Sequence, residues 1–391
     1  MSNSAIDIFG AYVDNFKNKL INGNFDFWQR GRGVASAFNE SISTSSAAET
    51  FYIPDRWFRG FTSDISDTIG FTAERKVFVS SDFGSNGLKI KSRPDYYIDF
   101  SGTFTTGNGA SQYLGLGQRI ENVRTLSGKQ ATLSFWAKGS VTGSFTVRLS
   151  QVFGSTGPGL SDRVDLTQKT VNINVADAWN RYVFTLDIPD VAGATQGTKN
   201  DDYLEVFFTT HNSWGFAGLT GNVNLGATVD YNGTISLAEV QLEEGPTATL
   251  FDKRMVGIEQ IMCERYFELG SVDYATHSRG SNNYLRVPFK TKKKAFNYFP
   301  DQFLTLDDSG GLTFANRFGT SGVTFEDTYK VYHSIAGITG GVPVDGDEFL
   351  NADASGITFP TPDGFSIHYN TDSGSAKQTK VRGLWAVDAE L

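Results

Sequence analysis

The chain contains 391 residues, which is enough for roughly two or three compact domains with buried cores. Its formal net charge of -9 disfavours a nucleic-acid partner, because neutralising phosphates requires clustered Lys and Arg. The single cysteine, Cys263, excludes an internal disulfide framework and is expected to be a small buried side chain on a helix. Abundant Gly and Phe, 42 and 32 residues, favour turns and strands over helices.

Membrane insertion and secretion are also disfavoured. The chain has no run of about 18 apolar residues, which is the length that a membrane-spanning helix needs. Its start, MSNSAIDIFG, lacks the basic and then apolar order of a secretory signal. We therefore expect synthesis in a cytoplasm and no insertion into a membrane.

The first predicted element is a helix from Ser4 to Leu20, within an N-terminal region of residues 1–21. Its apolar residues recur at alternating spacings of three and four, as in the seam of a short heptad repeat: Ile6, Phe9, Val13, Phe16 and Leu20. Two interpretations fit this pattern. The helix either buries this face on its own domain or forms a parallel oligomeric seam with other copies of the chain.

Residues 22–246 are predicted to form a β-sandwich or jelly roll, because short strand-like segments with turn signals follow one another there. In the segment 131–138, alternation places Ala131, Leu133, Phe135 and Ala137 on one face. Trp136 lies on the other, polar face, and Arg148 lies on the polar face of the next strand. The two side chains are therefore predicted to lie on adjacent strands.

The last strand of this region breaks the alternation. Ile235 and Leu237 are out of phase with Val240 and Leu242. A β-bulge near Ala238 would bring both pairs to the same face, so we predict one there.

A linking helix is predicted over residues 247–270, after the Gly245-Pro246 turn. Four apolar residues share one face of it at spacings of four, three and four: Phe251, Met255, Ile258 and Met262. The acidic residues Asp252, Glu259 and Glu264 are expected to point elsewhere. In a homotrimer, the same apolar faces of three chains would cover one another along the axis.

Residues 271–391 are predicted to form a smaller antiparallel β domain, with strong turns such as Ser309-Gly310-Gly311 and Pro362-Asp363-Gly364. The predicted fold class is therefore mainly β. It comprises a short N-terminal helix, a jelly-roll β-sandwich, a linking helix and the smaller antiparallel β domain.

Several phrases carry a family resemblance in their order along the chain. They are LINGNFDFWQRG (20–31), PDRWF (54–58), GQRIENV (117–123), ATLSFWAKGS (131–140), QLEEGPTATLFDKRMVGIEQIMCERYFE (241–268) and LWAVDAEL (384–391). Together they resemble tail-fibre and related virion structural proteins of tailed bacteriophages. The N-terminal portion of such proteins is similar to carbohydrate-binding-module jelly rolls.

The resemblance implies a virion appendage, made in the host bacterial cytoplasm, that is commonly a homotrimer and contacts the host surface, often through glycan. Another virion protein would hold its N-terminus. Tail fibres often have a long attachment region and a fibrous shaft, whereas this chain has only about two heptads before the sandwich. Its location on the tail, the head or another fibre protein therefore stays open.

Glycan recognition by a sandwich usually depends on exposed aromatic faces beside polar groups, because a sugar presents apolar C–H patches ringed by hydroxyls. Four residues match this description: Trp136, Arg148, His211 and Trp214. The alternative is that these tryptophans pack under loops or at a subunit contact. Trp57 and Trp179 are expected to belong to the core.

No pattern assigns catalytic roles, and no cofactor or metal site is assigned. The resemblance to carbohydrate-binding jelly rolls implies that a structural calcium could lie near the first and last strands, with oxygens from Asn24, Asp26 and Glu239, and a capped strand end is the alternative. The histidines (His211, His277, His333 and His368) lack metal-ligand spacing, and no nucleophile elbow or phosphate-binding loop is present. Acidic residues are plentiful, but none is singled out as a pair for glycoside hydrolysis.

The sequence thus favours a non-enzymatic virion appendage, such as a tail fibre, that attaches to the host by binding a surface glycan as a homotrimer. Three rigidly held weak sites would raise the effective concentration. One alternative is a head-fibre, capsid decoration or fibre-connector protein without receptor binding. The second alternative is a polysaccharide-degrading tailspike.

Overall fold

The computed structural model describes residues 16–29, 38–45, 48–62, 66–79, 82, 93–104, 113–154, 158–198, 201–212, 229–278, 283–292, 305–306, 312–313, 330–334, 357–361, 363–369 and 377–388. The chain divides into two compact units. The first comprises Met1–Gln260 together with Leu391, and the second comprises Ile261–Glu390.

The first unit is built from short strands, as its turn-rich sequence predicted. They are β1 (Phe38–Ser45), β2 (Ala48–Tyr52), β3 (Trp57–Thr62), β4 (Ser66–Val77), β5 (Tyr96–Phe104), β6 (Tyr113–Glu121), β7 (Gln130–Gly139), β8 (Gly143–Val152), β9 (Val164–Ile173), β10 (Asn180–Asp187), β11 (Tyr203–Asn212), β12 (Val229–Asp230) and β13 (Ile235–Glu244).

These strands form two antiparallel sheets. One has six strands in the order β1-β4-β5-β13-β7-β10, and the other has seven, with the order β2-β3-β6-β11-β8-β9 and β12 beside β11. The chain changes sheet repeatedly, from β6 to β7, from β7 to β8, from β9 to β10 and from β10 to β11. The chain is mainly β, and the predicted jelly-roll β-sandwich is confirmed.

The core lies between the two sheets, where the alternation along the strands placed it. Leu133 and Phe135 on β7 and Phe145 on β8 are fully buried. Trp57 on β3 is also in this core, as predicted, with its ring centroid 6.4 Å from that of Phe208 on β11. Burying each side chain of this size contributes about 1.5–3 kcal/mol, so the interior stabilises the pairing of the sheets.

The predicted bulge in β13 is present. The register with β7 shifts between Ala238 and Gln241, and Glu239 has a φ of 49°. As a result Leu237 and Val240, which strict alternation would place on opposite faces, are both fully buried in the core.

Residues 16–29 form an irregular segment that bonds to β13 beyond this bulge. Asn18 donates its side-chain amide to the carbonyl oxygen of Val240 at 3.1 Å and accepts the backbone N–H of Leu242 at 3.0 Å. The backbone N–H of Val240 donates to the carbonyl oxygen of Gly23 at 3.0 Å. The segment therefore uses the backbone groups of β13 in this region.

The prediction of a helix up to Leu20 is wrong at its described end. Phe16 and Leu20 lie in the irregular segment. Leu20 is fully buried in the sandwich core, so its apolar side chain is removed from water without a helix–helix contact. Ile6, Phe9 and Val13 lie outside the described residues. A role of these residues in assembly stays a prediction.

The linking helix, α1, spans Val256–Glu264 and is shorter than predicted. Phe251 and Met255 precede it, so the prediction that they share a helical face with Ile258 and Met262 is wrong. The preceding residues instead bond to side chains of β13, which competes with helix formation. In the described ranges, no helix has the length and apolar character needed to cross a bilayer.

The buried residues of α1 include acids that were predicted to point away. Glu259 is 8% exposed and accepts hydrogen bonds from the Arg254 guanidinium at 2.9 and 3.0 Å. Glu264 is 2% exposed and pairs with Lys290 at 2.8 Å. Cys263 is buried, as predicted. Pairing with cations offsets the cost of burying the two carboxylates.

The second unit contains β14 (Phe267–Ser278), β15 (Asn283–Pro288), β16 (Thr305–Leu306), β17 (Leu312–Thr313), β18 (Lys330–Ser334), β19 (Ile357–Thr361), β20 (Gly364–Tyr369) and β21 (Lys377–Asp388). Their orders are β14-β21-β18, β15-β20-β19 and β16-β17, and the described pairs are antiparallel.

Gly115 on β6 offers a test of the sandwich packing. A Cβ at this position would lie 2.0 Å from the carbonyl oxygen of Phe208, just before the register shift of β11 between Thr209 and His211. We expect Gly115→Ala to lower the free energy of unfolding by about 1–3 kcal/mol through overpacking. Gly257→Ala is the control, since a Cβ there meets nothing within 4 Å and Ala favours helix. Equal urea midpoints for the two variants would contradict the packing described here.

Candidate functional site

The candidate site lies on the outer face of the six-stranded sheet. The register places Trp136 of β7 between Arg181 of β10 and Ala238 of β13. Two residues further along these strands, the next row of cross-strand neighbours contains Lys138 of β7, Ser236 of β13 and Asp99 of β5. Polar and aromatic side chains of four strands therefore meet on one surface.

One half of this face is covered by the chain itself. After β13, residues 245–252 fold back over the sheet, and the carbonyl oxygen of Gly245 accepts a hydrogen bond from Thr132 at 2.6 Å. Glu243 accepts the backbone N–H of Thr249 at 2.8 Å, and Gln241 accepts that of Asp252 at 2.7 Å. The uncovered half contains the aromatic side chains.

We define the aromatic patch as Phe78, Tyr97, Trp136 and Trp179. Phe78 and Ala238 form its buried base, and Tyr97, Trp136 and Trp179 are partly exposed above it. The ring centroids of Phe78 and Tyr97 are 4.6 Å apart, and those of Phe78 and Trp179 are 5.4 Å apart. Tyr97 and Trp179 stand perpendicular, with centroids 5.3 Å apart. Contacts of this kind hold the rings in fixed orientations.

A carboxylate supports Trp136 from the bulge. Glu239 is 7% exposed and accepts a hydrogen bond from the Trp136 side chain. Burial raises the pKa of Glu239 to about 7, although Arg181, this hydrogen bond and Lys253 all favour the charged form. The charge beneath Trp136 therefore changes close to neutral pH.

The surface around Tyr97 is acidic. Burial raises the pKa of Tyr97 to about 12, and Asp99, Asp82 and Glu74 add to this effect. Burial also raises the pKa of Asp99, against a hydrogen bond from Ser236. Acceptors for hydroxyl donors thus lie beside partly exposed aromatic faces, an arrangement that suits a ligand with both apolar and hydroxyl-bearing sides.

The structure does not bring together the three predicted glycan residues that it describes, Trp136, Arg148 and His211. Trp136 lies in the aromatic patch, whereas Arg148 belongs to the seven-stranded sheet, so the prediction that their strands are neighbours in one sheet is wrong. Consecutive strands can pair with different partners in a sandwich, and here β7 and β8 lie in opposite sheets. Trp214 is outside the described residues.

Arg148 is part of a buried ionic network. It lies 3.5 Å from Glu205, which Arg163 and Arg119 also approach at 2.8 and 3.6 Å. Burial alone would raise the pKa of Glu205, but these three cations outweigh it and lower the pKa to about 2. The Arg148 guanidinium also lies over the ring of Phe207, 4.7 Å from its centroid. These contacts give Arg148 a structural role.

His211 is also occupied by the protein. It is 7% exposed, with Nε2 3.1 Å from Asp230 and Nδ1 2.9 Å from the Thr210 hydroxyl. Burial lowers the pKa of His211 despite the acidic neighbour. The described geometry therefore separates His211 and Arg148 from the aromatic patch.

Sequence reasoning missed most of the patch. Trp179 was expected in the core, but it is partly exposed and packs in the satellite cluster. Trp179 directly precedes β10, and Phe78 directly follows β4. Alternation does not predict the orientation of a residue that lies just outside a strand. Tyr97 alternates with the buried Ile98, a pattern that identifies an outward residue but not its neighbours.

Across the described ranges, no group of three or more His, Cys, Asp and Glu side chains is arranged to hold a metal ion.

Comparisons with known proteins give only distant similarity. No protein-family model matches the chain, and no curated protein matches it. Among solved structures, the enzymatically active domain of tailspike protein 4 from bacteriophage CBA120 is 15% identical with a TM-score of 0.27, and the match covers 58% of this chain and 21% of that one.

Two further solved structures are carbohydrate-binding modules. A xylan-binding domain from CBM 22 is 13% identical with a TM-score of 0.27, covering 60% of this chain and 99% of that one. The family 11 module of the cellulase Lic26A-Cel5E of Clostridium thermocellum is 12% identical with a TM-score of 0.26, covering 52% and 99%. Similarity at these values carries no inference about function.

The raised pKa of Glu239 predicts a pH-dependent stability. The folded chain keeps this proton to higher pH than the unfolded chain, so the free energy of unfolding falls as pH rises from 4.5 to about 7. Asp26, whose pKa burial raises to about 6, acts in the same direction at lower pH. Between pH 6 and 8, we expect wild type to lose about 1 kcal/mol that Glu239→Gln does not lose.

Urea unfolding at both pH values measures this difference. Glu244→Gln is the matched control, because Glu244 lies on the same strand but is exposed. If Glu239→Gln and Glu244→Gln showed the same pH dependence, the buried proton would not reside on Glu239.

Proposed function

We propose that the chain binds a glycan through the aromatic patch. The observation that carries this proposal is the cluster of partly exposed Tyr97, Trp136 and Trp179 beside acidic and basic groups on an otherwise polar sheet face. These rings pack on Phe78 and Ala238 from the sheet side and are partly exposed on the outer side. They provide apolar faces for the C–H side of a sugar.

The polar groups around the rings supply the second half of recognition. Asp99 can accept hydrogen bonds from sugar hydroxyls, and Arg181 and Lys138 can donate to sugar oxygens. Asp99 and Lys138 flank Ser236 in one row of the sheet, and Arg181 lies opposite Trp136. A saccharide lying across the strands would contact rings and hydrogen-bonding groups together.

We further propose that this binding serves a bacteriophage virion appendage that attaches to the host surface as a homotrimer and without catalysis. The support is the ordered set of phrases that resemble tail-fibre proteins, from LINGNFDFWQRG to LWAVDAEL. Three weak sites in one rigid assembly would gain avidity from a high effective concentration. The protein would be made in the host cytoplasm and held in the virion through its N-terminal region.

Two measurements separate this proposal from its competitors. Electron microscopy of labelled virions distinguishes a tail appendage from a head-fibre, decoration or connector protein by position on the particle. Incubating purified protein with host polysaccharide tests for a depolymerase, because release of oligosaccharides would contradict a role without catalysis.

Substitution in the patch tests the glycan site directly. We expect Trp136→Ala and Trp179→Ala each to weaken binding on a glycan array about fivefold or more, since loss of a stacked ring costs about 1 kcal/mol or more. Tyr203→Ala is the matched control, because Tyr203 is a partly exposed aromatic residue on the seven-stranded sheet. Loss of binding only in the Tyr203 variant would place the site on the opposite sheet.

Assembly is tested independently of glycan. Met255 is 71% exposed, next to Val256 at 65%, and we expect both to be covered in the homotrimer. Light scattering should give three times the mass of one chain for wild type and a lower mass for Met255→Asp. Val175→Asp, at a residue 60% exposed elsewhere, should stay trimeric. A monodisperse wild-type monomer would contradict the trimer.

A further inference from the structure

One side chain of the protein already occupies the aromatic patch. The Lys138 ammonium lies 5.3 Å from the ring centroid of Tyr97 and 5.3 Å from that of Trp179. These two rings are perpendicular, so they form a corner whose two walls both face the cation. A cation within about 6 Å of an aromatic centroid is attracted by the negative face of the ring.

The surroundings of this corner favour positive charge beyond the rings themselves. Asp99, Asp82 and Glu74 all act on Tyr97 with negative charge. Asp99 lies in the same row of the sheet as Lys138, separated from it by Ser236. Two aromatic walls and nearby carboxylates are the components from which proteins build sites for organic cations.

Lys138 is held less firmly than the neighbouring lysine. Lys76, on the same face, pairs with Glu74 at 2.6 Å. Within the described part of the chain, Lys138 makes no ion pair within 4 Å; it lies over the two rings and is attracted electrostatically by Asp99. A partly exposed ammonium on a flexible four-carbon stem can leave such a corner and return to water.

We propose that the Tyr97–Trp179 corner is a binding site for an organic cation, the ammonium group of an amino sugar or of a quaternary ammonium substituent on a glycan. Lys138 is a tethered occupant of the corner that the ligand cation displaces. This inference rests on the proposed function in placing the ligand at the aromatic patch. It adds the charge class of the ligand and a residue that sets its affinity.

The arrangement gives selectivity as well as affinity. A neutral sugar that leaves Lys138 in place can use only the part of the patch around Trp136. A ligand ammonium exchanges one cation for another in the corner, so the acidic field of Asp99 is still neutralised. A weakly hydrated quaternary ammonium loses less solvation than a lysine ammonium on entering the corner, so its net gain from the rings is larger.

Choline chloride is the probe for the cation site. The full-length wild type, Lys138→Met and the matched control Lys76→Met are titrated with it by calorimetry, with sodium chloride keeping the ionic strength constant. We expect Lys138→Met to bind choline on the order of tenfold more tightly than wild type, because the tethered competitor is gone. Lys76→Met should equal wild type, and adding Asp99→Asn to Lys138→Met should weaken choline binding again.

Lys138→Gln serves as a second variant if Lys138→Met fails to fold, as judged by circular dichroism. Choline affinity that is equal in wild type and in folded variants lacking Lys138 would overturn the cation site. An equal gain in Lys76→Met would also overturn it, since the effect would then reflect net charge alone.

A second arm compares glucosamine with neutral N-acetylglucosamine. Tighter binding of glucosamine, lost in Trp179→Ala, supports the inference. Glycan binding that depends on Trp136 and Trp179 without any cation preference leaves the proposed function standing and overturns the cation site. Choline binding that Lys138→Met strengthens, without binding of any glycan, supports the cation site and overturns the proposed function.

Discussion

The β-bulge at Glu239 is the constraint on which the sandwich and its candidate site both depend. Without it, strict alternation would turn either Leu237 or Val240 out of the core. With it, both are buried, and the backbone of Val240 bonds to Asn18 and Gly23 of the N-terminal segment. The same bulge places the Glu239 carboxylate within hydrogen-bonding reach of Trp136. One extra residue in β13 thus affects the core packing, the hydrogen bonds between β13 and the N-terminal segment, and the aromatic patch.

The polar residues on the two outer faces of the sandwich have different surroundings. On the seven-stranded sheet, the Glu205 carboxylate is paired with three arginines, and Arg148 is additionally packed on Phe207. Exchanging such an ionic network for contacts with a ligand would leave buried charges without partners. On the six-stranded sheet, residues 245–252 cover one half and leave the rings open. A ligand can reach the rings there, and the contact it exchanges is that of the Lys138 ammonium with Tyr97 and Trp179.

Much of the fold follows from local patterns in the sequence. Alternation correctly located the core faces of β7 and β8, and its failure in β13 correctly located the bulge. Trp136 was recognised as an outward residue for the same reason. Periodicity also suggested a long helix after Pro246, but side chains of β13 hold this stretch in an irregular path until Val256.

The grouping of the site residues could not be predicted in this way. Periodicity identifies which face of a strand a residue lies on, but not which strands are neighbours in the sheet. Tyr97 and Trp179 come from distant parts of the chain and meet only because β5, β13, β7 and β10 are neighbours. Arg148 is close to Trp136 in sequence but lies in the other sheet. The contact of the Lys138 ammonium with Trp179 likewise depends on the positions of neighbouring strands, which the sequence pattern does not give.

Recording the indole N–H resonances of the tryptophans during a glycan titration tests the aromatic patch most directly. Each resonance is assigned by substitution, and Trp57, fully buried in the core, provides the internal reference. Glycan binding at the patch predicts saturable shifts of Trp136 and Trp179 with no shift of Trp57. Saturable binding that leaves both patch resonances unchanged would contradict it.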